Sequence, residues 1–425
     1  MKIAIVGTGI AGSVVAYRLR EQHDITVFEA NDYVGGHTNT VDVRLGGREH
    51  AVDTGFIVFN DWTYPNFIAL LAELGVASKP TAMSFSVQCE RTGLEYNGTT
   101  INSLFAQRRN LLRPSFYRMI RDILRFNREA PQVFARDDDA TTIGSYLTEQ
   151  RYSSEFIDHY MVPMCAAIWS AEPRTIAEAP ARFLIRFLEN HGLLSIDDRP
   201  IWRVIKGGSR SYMDRLIAGH RPRIRLSCPV ERIARRAGGV DIKARGMETE
   251  QYDRVFLACH SDQALKLLTD VTPLERRVLG AIPYQRNEAV LHTDGRLLPK
   301  RRLARAAWNY HIPRERQSRA AVTYSMNILQ GLDSPEELCV TLNNSDKIRP
   351  EKIIKRITYD HPMFTRDSVT AQRQHEDVNG VNGTYYCGAY WRNGFHEDGV
   401  VSAQSALRQF EDRLRHEELH LRRAG

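Results

Sequence analysis

The chain has 425 residues, 42% hydrophobic and 26% charged, the balance of a soluble globular protein and more than one core normally serves. A net charge of +7 and a pI near 9.1 suit anionic surfaces such as membranes or phosphorylated ligands, and with no nucleic-acid motif present no nucleic-acid partner is expected. Six cysteines (Cys89, Cys165, Cys228, Cys259, Cys339, Cys387) without CxxC spacing argue against a disulfide frame or a metal site, and no apolar run reaches the roughly 18 residues of a membrane span; with a strand signal starting at Lys2, a two-domain cytoplasmic protein is expected, one that could touch a membrane surface.

Lys2-Ile3-Ala4-Ile5-Val6 reads as a strand buried on both faces. Gly7-x-Gly9-x-x-Gly12 follows at once, and the residues from Ala11 to about Arg20 have a helical apolar face in Val14, Val15 and Leu19. Ile25 to Phe28 is a second strand, closed by Glu29 and Ala30. Gly7 permits the tight turn, Gly9 lets backbone approach a pyrophosphate, and Gly12 lets the helix pack close to the sheet. The helix start at Ile10-Ala11 supplies N–H groups and positive dipole to phosphates. Glu29, 22 residues after Gly7, is placed to accept hydrogen bonds from ribose hydroxyls. This fingerprint serves NAD and FAD equally.

Gly35-Gly36-His37-Thr38 comes next. Here the chain resembles the flavin-containing amine oxidoreductase and phytoene desaturase superfamily, in which an acidic strand end is followed by Gly-Gly-Arg and the Arg contacts the pyrophosphate. The resemblance implies an FAD cofactor and contacts from Gly36, His37 and Thr38. His37 is a departure, since a neutral imidazole donates one hydrogen bond and carries less charge than a guanidinium. Further on, Ala51 to Phe59 reads as a strand broken at Gly55. By resemblance, Gly55-Phe56 brings backbone against the flavin; otherwise this is a hairpin away from it.

Pro65 to Leu74 is a helix with Pro at its start, Gly75 at its stop and a stripe of Phe67, Leu70, Leu71 and Leu74. Leu104 to Arg128 carries Arg108, Arg109, Arg113, Arg118, Arg121, Arg125 and Arg128 against a single acid, Asp122, with leucines and aromatics between and Pro114 dividing it. Such a stretch can lie in a membrane interface, or it can be a solvated face over a core stripe. Asp137 to Thr142 reads as a turn before a helix at Ile143–Glu149. Phe156–Ser170, interrupted near Pro163, and Phe183–Leu194 read as further helices, making residues 61–200 mostly helical.

Lys206-Gly207-Gly208-Ser209 precedes another helix, which the resemblance returns to the flavin domain beside the ring system. Val230 matches the position whose backbone pairs with adenine. Gly238-Gly239 turns a hairpin, and Tyr252–Cys259 is a buried strand. Glu288–His292, Ala304–His311, Ala321–Ile328 and Cys339–Leu342 read as strands. Tyr385 to Cys387 is a strand ending at Gly388, and a helix starts near Gly399, followed by Val400. In the resembled superfamily this helix aims its N-terminus at the flavin, where its dipole stabilises negative charge. Ala389 stands where an acid is usual, leaving Glu397 or Asp398 for the ribityl contact.

The expected architecture is α/β: a Rossmann-like FAD-binding domain (1–60, 201–284, 376–425) with an inserted α+β substrate domain (61–200, 285–375). The resemblance extends to bacterial NAD/FAD-binding proteins encoded beside cyclopropane-fatty-acyl synthase-like methyltransferases. It implies hydride removal from carbon to flavin N5 on an apolar, fatty-acyl or lipid substrate, and association with a lipid-methylating enzyme. The proton acceptors in reach by position are Lys206, His396 and Glu397. Three alternatives stay open: an amine oxidase for a small amine, a redox-neutral flavin isomerase, and a non-catalytic flavoprotein partner of a lipid methyltransferase.

Overall fold

Two sheets organise the computed structural model, which describes residues 1–135, 140–315 and 319–424. The acidic turn expected at Asp137–Asp139 lies outside the described residues. The first sheet has five parallel strands in the order Ile224–Arg225, Asp24–Phe28, Lys2–Val6, Arg254–Leu257, Thr384–Tyr386. Its centre is the unbroken apolar run Ile3-Ala4-Ile5, fully buried because both faces are covered. On one face lie the helices Ile10–Leu19, Arg210–Ile217 and His396–Ala424, sharing a core of Val14, Leu216, Phe256 and Phe410. On the other face, the small sheet formed by Val230–Arg236, Gly239–Ala244 and Glu250–Tyr252 packs with the helix Pro273–Gly280. This is the α/β dinucleotide-binding fold.

The second sheet has seven strands, in the order Ile353–Pro362, Tyr284–His292, Cys339–Leu342, Ala321–Ser325, Trp308–Ile312, Phe85–Cys89, Leu94–Asn97. All its pairs are antiparallel except Trp308–Ile312 with Phe85–Cys89. The helices Pro114–Glu129, Val162–Trp169 and Ala181–Asn190 share its core through Phe126, Cys165, Leu184, Val322 and Val340.

Several elements differ from the sequence expectation. Residues 61–200 are mostly helical, as expected, but they also contribute the strands Phe85–Cys89 and Leu94–Asn97, which complete the large sheet. The strand expected over 321–328 ends at Ser325, where Met326–Leu329 turns into helix. The ten-residue strand Ile353–Pro362 went unrecognised, since the charges of Lys355, Arg356 and Asp360 interrupt its apolar alternation. The carboxyl-terminal helix starts at His396, three residues before Gly399. Phe67, Leu70 and Leu71 join the core of the first sheet, and Ala371 and Val378 pack with its strand residues Val255 and Leu257. The segments around 65–73 and 366–378 therefore pack on the dinucleotide fold.

Candidate active site

A cavity of about 770 Å³ runs from the Gly7–Gly9 turn to the edge of the large sheet. At the turn, the Gly7 N–H donates to the Phe28 carbonyl at 2.8 Å, with φ at +103°. A side chain at Gly12 would put its Cβ 2.1 Å from the Gly7 carbonyl oxygen, so Gly12 serves the close crossing of helix and strand and does not line the cavity. A Cβ at Gly9 would meet nothing within 4 Å; it would enter the cradle itself. Gly36 closes on this turn, its would-be Cβ 3.3 Å from Gly9 Cα. Glu29 lines the cavity with one carboxylate oxygen accepting from Thr8 N (2.9 Å) and the other from Asn31 N (2.9 Å), so the carboxylate is already oriented.

The carboxyl-terminal helix meets this turn directly. A Cβ at Gly399 would sit 2.6 Å from Ile10 Cγ2, so the two helix starts cross where only glycine fits. Gly388 lines the cavity beside them, its N–H held by Ser402 Oγ at 2.9 Å.

Ile10, Ala11, Ala30, His37, Gly55, Phe56, Val230 and His396 also line the cavity, whereas Thr38, Asp398, Gly399 and Val400 do not. Thr38 Oγ1 is bonded to Tyr212 Oη (2.6 Å) and His396 Nε2 (3.0 Å) behind the wall. Asp398 accepts from Phe395 N at 2.9 Å and Asn393 N at 3.2 Å, capping its own helix, and burial pushes its carboxyl up to about 6. Val400 is buried in the core with Ile10 and Val14.

The expected proton acceptors need correction. Lys206 is exposed and outside the cavity. Its turn is held elsewhere: the Gly207-Gly208 pair has φ of +80° and +86°, and the Ser209 N–H donates to buried Asp53 at 2.9 Å. Burial pushes Asp53 up to about 6, and it also accepts from Thr40 Oγ1 at 2.6 Å and Gln330 Nε2 at 2.8 Å. Glu397 points away from the cavity and caps the helix Pro65–Glu73, accepting from Phe67 N at 2.9 Å and from Asn66 N at 3.1 Å. His396 does face the cavity, stacked on Phe56 with ring centroids 3.4 Å apart. Burial drives its imidazole down to about 3, so it is an uncharged, weak base whose Nε2 lies 2.8 Å from Tyr212 Oη.

Three other groups converge on the cavity that the sequence did not single out: His260, His361 and Tyr359. His37 stacks on Tyr359 (4.7 Å), with His361 at 5.3 Å and His260 at 6.3 Å. His361 Nδ1 accepts from Asn287 Nδ2 at 2.8 Å, which leaves its proton on Nε2. A ring nitrogen of His260 accepts from the Gln263 N–H in the same manner. Burial pushes all three imidazoles down, His361 to about 4, and their proximity adds to the effect at His37 and His361. The cluster thus presents neutral N–H donors where the resembled motif presents a guanidinium. Beyond it the wall is aromatic: Trp169 and Phe364 (6.3 Å apart), Trp308 and Tyr324 (5.0 Å), and Phe395. Among the described residues, no group of three or more His, Cys, Asp or Glu side chains could hold a metal ion.

Comparison with known proteins shows the family of the chain. The family model for flavin containing amine oxidoreductase matches residues 10–320. The chain belongs to that family. A Mycobacterium tuberculosis protein provisionally named flavin-containing monoamine oxidase AofH is 27% identical over 249 residues, 56% of this chain and 53% of that protein. A Mycobacterium bovis coproporphyrinogen III oxidase is 22% identical over 289 residues, 63% of this chain and 61% of that one. The chain thus spans a little over half the length of these curated relatives. Among solved structures, cyclohexylamine oxidase from Brevibacterium oxydans IH-35A superposes with a TM-score of 0.69 at 16% identity, covering 97% of this chain and 99% of that one. A CLA-producing fatty acid isomerase from P. acnes gives 0.67 at 16% identity, covering 96% and 98%. At such identity the likeness is one of fold.

FAD is the cofactor of this amine oxidoreductase-family chain, and the residues present fit it. A side chain at Gly9 would fill the cradle, and the cavity-lining residues His37, Tyr390 and Trp308 carry buried polar atoms (Nε2, Oη and Nε1) with no protein partner. The Gly7–Gly9 turn and the start of the Ile10–Leu19 helix would hold the pyrophosphate, Glu29 the ribose and the His37 cluster the anionic middle.

Proposed function

We propose that the protein oxidises or desaturates an apolar substrate of fatty-acyl character. The observation that carries this reading is the charge-free aromatic wall of Trp169, Trp308, Tyr324, Phe364 and Phe395. The charged residues that line the cavity lie elsewhere: Glu29 is bound to Thr8 and Asn31, Lys266 is tied to Asp262 at 2.8 Å, and Asp360 acts on His260 at the dinucleotide end. An ammonium group entering the aromatic end would find no carboxylate, whereas an acyl chain would leave only apolar surface behind it. Trp308 Nε1 is a buried donor with no protein acceptor. Bound FAD supplies the acceptance of a hydride from carbon. The chain's residues orient the substrate and keep water from the reacting carbon.

One observation favours a second reading, oxidation of an amine. The Trp308 and Tyr324 rings stand at 88°, a geometry whose π faces attract a cation. Anaerobic mixing of the purified holoprotein with long-chain acyl esters, and separately with alkylamines, distinguishes the two. Bleaching of the flavin by the esters, with a product lighter by two hydrogens, is expected. Bleaching by amines alone would replace the acyl reading, and an ester product of unchanged mass would assign isomerisation. Association with a lipid-methylating enzyme is tested by co-expression, with acyl composition read by mass spectrometry.

A further inference from the structure

We propose that the face spanning Ile101 to Arg128 docks on an anionic lipid surface, independently of which substrate the cavity takes. The helix Pro114–Glu129 has two faces. Its inner stripe is satisfied: Phe116 packs edge-on with Tyr96, and Phe126 lies 5.5 Å from Phe156. Its outer stripe repeats Tyr117, Arg121, Leu124 and Arg128 at i, i+4, i+7 and i+11, and all four are exposed. Tyr117 leans on Phe105 with ring centroids 5.9 Å apart, and Leu124 is left 47% exposed.

Beside the helix, the turn Arg108–Leu112 raises Leu112, 88% exposed, with Ile101 at 80% close by. The turn is anchored so that these side chains share one surface. Tyr117 Oη donates to the Leu111 carbonyl at 3.1 Å, and the Arg108 guanidinium donates to Asn102 Oδ1 at 2.6 Å.

The charge on this surface is of one sign. Asp122 is buried, its carboxylate accepting from Ser153 N at 2.9 Å, and Glu129 is taken by Arg125 and Arg128. Arg118 faces Glu155 at 3.3 Å. Arg108 and Arg109 donate to neutral oxygens, of Asn102 and Phe105 for the first and of Gly93 for the second. Guanidinium groups ringing protruding aliphatic tips match phosphate headgroups over acyl chains: arginine pairs with phosphate, and Leu112, Leu111 and Ile101 enter the boundary beneath. A globular polyanion such as RNA would use the arginines and leave the leucines in water.

Vesicle co-sedimentation of the FAD-loaded protein tests this. Wild type should sediment with phosphatidylcholine vesicles containing phosphatidylglycerol and stay in solution with phosphatidylcholine alone. Arg108→Ser and Arg121→Ser should each weaken partitioning about fivefold, more at low salt. Leu111→Ser/Leu112→Ser should weaken it at least as much while flavin content and circular dichroism stay at wild-type values. Arg121→Lys should bind as wild type. No sedimentation with anionic vesicles at low salt would overturn the proposal. So would arginine sensitivity with no leucine sensitivity, together with equally tight heparin binding, which would reassign the face to soluble polyanions.

Discussion

Gly9 and Gly12 stand three residues apart in one turn, yet a side chain at each would meet different things. At Gly9 an added Cβ meets nothing within 4 Å, so Gly9→Ala should lower flavin content while the urea midpoint of the flavin-free protein holds. Gly12→Ala drives a methyl against the Gly7 carbonyl and should cost about 1–3 kcal/mol of stability, read as a lower midpoint. Equal loss of both properties in both variants would contradict this division. His37 lines the cavity and its buried Nε2 has no protein partner, so it is the group of this cluster left free to serve a bound anion. His37→Ala should weaken FAD binding about tenfold in a fluorescence titration, since a hydrogen bond to a charged group is worth about 1.5–3 kcal/mol. Glu397→Gln should instead cost about 1 kcal/mol of stability and leave FAD affinity alone, because that carboxylate serves a helix end.

Between elements, the joint between the small sheet and the helix Pro273–Gly280 is centred on the buried Arg235, which pairs with Glu275 and with Asp270. Arg235 and Glu275 are almost fully shielded, with Arg235 Nη2 2.9 Å from the carboxylate. Glu275 also accepts from Tyr386 Oη at 2.6 Å and from Thr272 N at 2.9 Å. Burial works to raise its pKa, but these partners win and hold it below the ordinary value. Glu275→Ala would leave the buried Arg235 with only the partly exposed Asp270, 2.9 Å from Nε, so it should lower stability by about 1–3 kcal/mol, and Arg235→Met/Glu275→Leu should recover part of that. A double variant no better than the single would mean that the loss comes from packing and not from charge. Tyr386 sits on the edge strand of the parallel sheet, so this joint also fixes the strand that leads to Gly388.

Across the whole molecule, buried titratable groups set the response to acid. Burial holds His191, His220, His292, His361 and His375 at about 4 and His396 at about 3, all below the ordinary 6.5. Between pH 6.5 and 4 the unfolded chain takes up protons that the folded chain refuses, so their contribution to stability is present above 6.5 and lost as pH falls. Asp53 and Asp398, pushed up to about 6 by burial, act oppositely: the folded chain takes up their protons first, and stability rises as pH falls from 6 to 3.8. The histidines outnumber the aspartates, and each uncompensated proton is worth about 1.4 kcal/mol per pH unit. The urea midpoint should therefore drop between pH 7 and pH 5, and His396→Gln should flatten that drop. A midpoint that rises on acidification would contradict the balance.

What the sequence by itself determined was local: an apolar run buried on both faces, glycines at the turn, an acid at the second strand's end, a helix opening on Pro65. Each is a property of neighbouring residues, where side-chain period and backbone freedom suffice, and together they pointed to the family and its FAD. What only the tertiary structure decided was direction and convergence. Glu397 and Asp398 occupy the expected loop, but in the first turn of a helix adjacent residues point about 100° apart, and packing turned both carboxylates onto backbone N–H groups. His37, His260 and His361 come from three separate segments, and no spacing along the chain encodes their meeting. The long strand that brings Tyr359 and His361 to the cavity is charged along its edge, so its pattern hid both the strand and the site until the neighbouring strands were in place.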